Sequence, residues 1–307
     1  PGLLAEASYV GSRSTDLQGS RSLNYLTAEQ LALGTAQLNA QVSNPFYGVL
    51  PANTTLGAQK TLQRRQLLTQ FPQYSGLTAN LRNQGEQWYN SLQAKLERRF
   101  QKGYTLLASY TFSKTMQAIS YLNAQDAAPA RQLTTFDTPH RLVLSGLLEF
   151  PFGKGKPWLS QGPAAWIAGG WQVGASLVMQ SGTPMPMPSG WMLLGDPALE
   201  SGQSMSRWFN TSKELWVAQT PDTLRTAPFV ISSVRGYVAP QVNANLIRDF
   251  RLGERRKLQF KLSAYNATNT PIFGFPNTSP TSPLFGQIQP TQTNLPRSLE
   301  LGFRYAF

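Results

Sequence analysis

The sequence contains no cysteine and a single histidine, His140, in 307 residues. The first absence excludes a disulfide framework, a thiolate metal site and a cysteine nucleophile, and the second excludes a histidine-rich metal centre. No uninterrupted apolar run approaches the roughly 18 residues a membrane helix requires, because Gly, Ser or a charge intervenes in every candidate. Helical spacing is scarce. Its clearest instance, Thr27 to Leu38, opens with a Thr cap and carries Gln30 three residues on, which reads as a short piece inside a loop. Acidic residues are also few, 15 Asp+Glu against 27 Lys+Arg for a formal net charge of +12. The basic residues nevertheless fall in short clusters at segment ends (Arg98-Arg99, Lys102, Lys154, Lys156, Arg255-Arg256-Lys257), not along one face interleaved with aromatics. That distribution argues against nucleic acid as a partner. The opening Pro1-Gly2-Leu3 shows no Met, basic n-region or apolar h-region, so no signal peptide is expected within the sequence.

What the sequence has in quantity is period-2 alternation of aromatic and β-branched residues with polar ones, the mark of β-strand. Eight strands are predicted: 3–10, 88–100, 104–114, 140–150, 169–180, 241–252, 256–266 and 298–307. In the second, Trp88, Asn90, Leu92, Ala94, Leu96, Arg98 and Phe100 share one face, while Tyr89, Ser91, Gln93, Lys95, Glu97 and Arg99 share the other. In the last, Leu299, Leu301, Phe303, Tyr305 and Phe307 oppose Ser298, Glu300, Gly302, Arg304 and Ala306.

The connections alternate in length: very long (11–87), short (101–103), long (115–139), medium (151–168), very long (181–240), short (253–255) and long (267–297). Strands longer than usual, joined by tight turns at one end and large loops at the other, form an up-and-down antiparallel meander with two unlike ends. A transmembrane β-barrel of the outer-membrane type has that asymmetry, with short turns in the periplasm and long loops outside. Counting back from Phe307 puts every short or medium turn on the periplasmic side. Aromatics on the apolar face gather at the strand ends, Phe100, Tyr104, Phe150, Trp171, Tyr305 and Phe307 below and Tyr9, Trp88, Tyr110 and Phe112 above, where an amphipathic ring prefers to sit. A soluble β-sandwich alternates too, but it seldom carries loops as long as 11–87 and 181–240 at one end only. Arg248 stands out on the apolar face, four residues from the turn, and is expected to snorkel to headgroups or to sit at a bulge.

The segment from Asn245 to Phe273, containing Arg248-Asp-Phe-Arg-Leu-Gly-Glu-Arg-Arg-Lys257 and Ala264-Tyr-Asn-Ala-Thr-Asn269, resembles the penultimate hairpin of TonB-dependent outer-membrane receptors. It is most similar to the Oar-like subgroup with a carboxypeptidase-regulatory-like N-terminal domain. Three further stretches resemble the same subgroup in the same order: Asp137-Thr-Pro-His140-Arg-Leu-Val-Leu-Ser with Phe150-Pro-Phe-Gly-Lys-Gly-Lys156; Gly170-Trp-Gln-Val-Gly174 with Gln180-Ser-Gly-Thr-Pro184; and Pro296-Arg-Ser-Leu-Glu-Leu-Gly-Phe-Arg-Tyr-Ala-Phe307. The resemblance implies a receptor with a 22-stranded barrel, a plug domain inside it and a TonB box. Residues 1–307 contain neither plug nor TonB box and only about eight strands, so they are expected to be the C-terminal portion of such a barrel. Remaining barrel strands, the plug, TonB and an unidentified ligand would then be partners supplied or met by the parent protein, alongside outer-membrane lipid.

Individual residues carry narrower expectations. Lys95, Glu97, Arg99, Arg141, Glu149, Asp249, Arg251, Lys261, Glu300 and Arg304 project to the polar face, where they line a lumen or form the ion pairs a polar interior needs. Phe303, Tyr305 and the terminal Phe307 resemble the recognition strand read by the barrel-assembly machinery. Trp191, Trp208, Phe209, Trp216 and Tyr237 lie in the 181–240 loop and are candidates either for ligand contact or for packing the loop against itself. Asp137 and His140 are the one group suggesting acid–base chemistry. No Gly-x-Ser-x-Gly elbow accompanies them, and a polar strand opening is the plainer reading. Asn266 and Asn269 read as turn formers at a strand exit. Asn53, Asn210, Asn266 and Asn277 begin glycosylation-like triplets that need a eukaryotic secretory route, so nothing rests on them. No residue pattern implies a metal or cofactor. The expectation is a non-enzymatic transport and binding module in the outer membrane of a Gram-negative bacterium. Two alternatives are a standalone eight-stranded anchor or adhesin and a barrel-embedded hydrolase using Asp137 and His140.

Overall fold

The computed structural model describes residues 2–74, 76–253 and 256–307. Eight long strands build one antiparallel wall: β1 (Leu3–Ser22), β2 (Thr78–Gln101), β3 (Tyr104–Ala118), β4 (His140–Glu149), β5 (Trp171–Gln180), β6 (Gln241–Arg251), β7 (Lys257–Tyr265) and β8 (Ser298–Ala306). Each pairs with its sequence neighbour, so the order is the up-and-down meander from β1 to β8. All eight expected strands are present. Within the expected 253–255 turn, residues 254 and 255 lie outside the described residues.

Register fixes the faces. Leu96 stands opposite Ala5 and Ala108, Ala108 opposite Leu144, Leu144 opposite Leu177, and Leu177 opposite Val242. One residue along, Glu97 faces Leu107, then Ser145, Ser176 and Asn243 in turn. One apolar surface and one polar surface therefore run the width of the wall.

Burial shows which surface meets which medium. Leu92, Leu96, Leu106, Leu148, Leu299, Leu301 and Phe303 are exposed. Among the described residues, every buried apolar side chain, from Leu26 and Leu38 to Met185, Phe209, Trp216 and Ile288, belongs to a loop and none to the wall. A sandwich would bury Leu96, Leu106, Leu144 and Leu177 between its sheets; here they form an outward belt, which is unfavourable in water and favourable in hydrocarbon. The polar face is concave and encloses a cavity of about 690 Å³ lined from β2 to β7, including Glu97, Arg99, Ser145, Asn243, Asn245 and Lys261. The wall curls without closing: among the described residues, no ladder joins β1 to β8.

The first hairpin is longer than the alternation indicates. β1 continues to Ser22 and β2 begins at Thr78, so residues 11–22 and 78–87, expected as loop, are strand. Ser12, Arg13, Ser14, Thr15 and Asp16 are exposed on both faces. With no medium to segregate against, this stretch has no greasy side to announce itself. Register shifts between Ser14 and Leu17 and between Gly19 and Arg21, with positive φ at Asp16 (58°) and Leu81 (54°), mark bulges that twist this extension. The Thr27–Leu38 helix is two single turns, Ala28–Leu31 and Thr35–Leu38, separated at Gly34, whose φ of 82° cannot continue a helix. Its capping box is formed: the Gln30 N–H donates to the Thr27 hydroxyl, and the Thr27 N–H donates to Gln30 Oε1.

Arg248 sits at no bulge, since the β6–β7 ladder runs unbroken through it and the β6–β5 ladder reaches it in register at Trp171. Its guanidinium instead donates to the carbonyls of Trp166 and Ile167, at the end of the helix Gly162–Ala168. A covering element thus satisfies the charge that was expected to reach for headgroups. Asn266 and Asn269 adopt positive φ (48° and 51°), and Asn266 Oδ1 accepts from the Thr270 N–H at 2.9 Å, as turn formers at the exit of β7.

Candidate functional site

The ladders place nine of the ten polar-face charges on the concave surface, and Arg99, at the register shift between Arg98 and Gln101, lines the cavity there. Lys95 pairs with Glu97 at 2.8 Å and reaches Glu6 at 3.8 Å, and Glu97 also meets Arg99 at 3.8 Å. Near the short-turn end, Lys156 contacts Glu149 at 2.6 Å and Lys257 contacts Asp249 at 2.7 Å. Glu300 accepts from the Tyr265 hydroxyl at 3.3 Å, while Arg304 faces Gln259 across the β7–β8 ladder. Lys261 lines the cavity opposite Gly302, and Arg141 lies at the upper rim opposite Thr111 and Gln180. Most of the carboxylates are thus spoken for, and the surplus on this surface is cationic. Such a surface holds water and tolerates polar solutes.

Above the wall the loops weave into one another. Arg65, in the 23–77 loop, pairs with Asp222 of the 181–240 loop, and Thr35 donates to the Pro221 carbonyl at 3.3 Å. Asn123 exchanges bonds with both the N–H and the C=O of Arg225. Burial pushes the Arg225 guanidinium below its usual range, and its donors are taken by the Ala227 and Pro228 carbonyls. The Ser233 hydroxyl beside Asp196, with the Ala198 N–H, holds that carboxyl below the ordinary aspartate range.

The 181–240 loop carries its own core. Phe209 (0% exposed), Trp216, Met185, Met187, Ile231 and Val234 pack together, and Phe285 from the 266–297 loop joins with ring centroids 5.2 Å from both Phe209 and Trp216. Two short ladders hold it, Pro184–Pro186 with Val230–Arg235 and Trp191–Leu193 with Trp216–Ala218. Phe209 and Trp216 face inward and offer no surface to a ligand. Trp191 and Trp208 pack against that core half-buried, and Tyr237 rests between Trp208 (5.8 Å) and Phe273 (5.2 Å). Among the openings in this roof are a 330 Å³ recess under Tyr237, Phe273 and Phe275, and a 610 Å³ recess in the 23–77 loop rich in Gln side chains.

Asp137 and His140 point to different partners. Asp137 is buried, its Oδ1 accepting from the Thr115 N–H at 2.8 Å and its Oδ2 from Arg235 at 2.9 Å. His140 lies on the outer face, where its Nδ1 is 2.7 Å from the Tyr110 hydroxyl and its ring is 5.1 Å from Phe112. The Asp137–Arg235 pair spans 98 residues of sequence and leaves no local pattern, so Arg235 is a residue that sequence reasoning misses. At the chain's end Phe303 packs edge-on to Phe260 (5.5 Å), Tyr305 stacks with Phe307 (6.0 Å), and Phe307 is 95% exposed on the free-edge strand.

Residues 1–300 match the family model described as outer membrane beta barrel domain. No curated protein and no solved structure matches the chain.

Proposed function

Because this chain belongs to the outer membrane beta barrel domain family, with its place in the Gram-negative outer membrane, we propose that it is the wall-and-loop portion of a TonB-dependent receptor. The single observation that carries this reading is the open concave wall: among the described residues the edges β1 and β8 are unpaired and flank a charged interior instead of sealing against each other. A closed eight-stranded barrel has an interior just filled by side chains, whereas a wider barrel encloses a conduit. Unpaired edges in lipid are costly, so further strands of the parent are the natural complement of β1 and β8. In this reading the loop roof captures an unidentified ligand, a plug domain closes the lumen, TonB supplies energy through a more N-terminal segment, and the Phe303, Tyr305 and Phe307 strand is read by the barrel-assembly machinery. In this reading the chain is not an enzyme: Asp137 serves as a brace, and His140 belongs to the outer aromatic ring.

The reading frame immediately upstream of Pro1 is the test. A plug-type domain in frame, together with loss of ligand uptake when the host's TonB is deleted, supports the proposal. An initiation signal directly before Pro1, with the chain alone giving a heat-modifiable monomer band in detergent, replaces it by the standalone anchor or adhesin.

A further inference from the structure

We propose that the segment 151–170, between β4 and β5, is an interfacial anchor that inserts into the periplasmic phospholipid leaflet and is pinned to the wall by Arg248. The inference rests on the membrane assignment of the apolar face. The segment is built tightly: Gly153 and Gly169 cross so closely that a Cβ on Gly153 would lie 2.5 Å from the Gly169 Cα, and Phe152 packs on Trp158 at 5.9 Å. From it Trp158, Leu159, Trp166 and Ile167 project with more than half of their surface exposed. Four large apolar side chains presented together at a short turn have no reason to face water, and amphipathic Trp favours the headgroup boundary.

The segment spans the base of the wall, with Lys156 on the lumen-facing Glu149, and the pin draws the C-terminal end of its helix to the outer side. Arg248 occupies the apolar face between Trp171 and Phe260 in register, a position where an unmet charge is expensive. It is only 6% exposed, donates to the Ile167 carbonyl at 2.6 Å and to the Trp166 carbonyl, and lies over the rings of Phe250 (4.2 Å), Trp171 (5.3 Å) and Trp166 (5.5 Å). The last carbonyls of a helix lack intrahelical partners, so the guanidinium and the helix end satisfy each other. The result holds Trp166 and Ile167 against the base of β5 and β6, continuous with the lipid-facing belt. Phospholipid acyl chains and headgroups are the occupant this geometry commits to.

The absence of native cysteine permits a direct test. Ile167→Cys, Leu144→Cys and Lys154→Cys would each carry a nitroxide in the complete parent protein, otherwise free of cysteine, reconstituted into phosphatidylethanolamine–phosphatidylglycerol vesicles, with accessibility to oxygen compared against a water-soluble nickel chelate. The expected result is oxygen preference at 144 and 167 and nickel preference at 154. Adding Arg248→Gln should abolish the oxygen preference at 167 while leaving that at 144. Nickel preference at 167 with oxygen preference at 144 overturns the anchor and leaves the membrane assignment standing. Nickel preference at both overturns the two together. Should Arg248→Gln fail to insert, quenching of Trp166 fluorescence by brominated phospholipid, in a chain whose other Trp residues are replaced by Phe, decides the matter, absence of quenching counting against the anchor.

Discussion

Arg235 reaches across 98 residues of sequence to grip Asp137, its Nη2 2.9 Å from the carboxylate and its Nη1 bonded to the Asp137 and Gly182 carbonyls. The pair bolts the 181–240 loop to the upper rim of β3, where Asp137 also caps the Thr115 N–H. Removing the cation leaves a buried carboxylate without its counter-ion, typically a loss of about 3 kcal/mol or more. Arg235→Ala should therefore release the loop while sparing the wall. Limited proteolysis of the folded chain is the measurement: rapid cutting within 181–240 is expected, and an unchanged digestion pattern would contradict the brace.

The loop core makes a separate demand. Phe209→Ala empties the centre of a cluster shared with Trp216 and Phe285 and should cost about 3–5 kcal/mol, confined to the loops. Near-UV circular dichroism should lose intensity while the far-UV strand signal persists. A ligand that binds the loop surface should weaken in step with this loss.

Adjacent residues on β4 should behave as opposites. Leu144 faces outward toward Leu177, and Ser145 faces the lumen toward Ser176. Arginine near the bilayer midplane costs about 2–4 kcal/mol on the lipid face, whereas lumen substitutions are tolerated. In the complete parent protein, Leu144→Arg should reduce the folded fraction on insertion into vesicles, read as loss of protease-protected material, and Ser145→Arg should not. Equal behaviour of the two variants would contradict the assignment of the faces.

Acid should loosen one contact specifically. The Asp196 carboxyl is held below its ordinary value mainly by the Ser233 hydroxyl at 2.5 Å and then by the Ala198 N–H. A depressed carboxylate stabilises the folded loop above its ordinary pKa near 4, and that contribution fades as pH falls through the lower folded value. Between pH 5 and 8 the contact should be constant. Ser233→Ala should shift the Asp196 titration, followed by carboxyl-carbon NMR, toward the ordinary value, with a small effect because the residue is exposed.

Much of the wall was legible because hydrocarbon and an aqueous interior impose opposite preferences on alternate residues; Leu92, Ala94 and Leu96 against Gln93, Lys95 and Glu97 suffice to set a strand and its register. Where that contrast ends, so does the signal. Residues 11–16 are strand exposed on both faces, and 17–22 and 78–87 are polar strand partly covered by Ile119 and Tyr121, all held by ladder bonds that any polar sequence can make. The Thr27 cap was readable, but the break at Gly34 depended on one residue's φ. Arg248 was visibly anomalous, yet its partners are backbone carbonyls, which no side-chain pattern encodes. The loop core united Phe209 and Trp216 with the distant Phe285, so ligand contact and self-packing could not be separated from composition alone.

The polar continuation of the first hairpin has a consequence for what the cell presents to its surroundings. Ten residues of β2, from Thr78 to Gln87, lie before the outer aromatic Trp88, and at ~3.3 Å each they raise the 23–77 excursion by roughly 30 Å. That excursion is therefore held clear of the bilayer, joined to the 181–240 loop through Arg65 and Asp222, in the layer of the chain that an arriving antibody, phage or nutrient would touch. A peptide tag spliced beside Gly48, whose positive φ marks a surface bend, should be readable on intact cells.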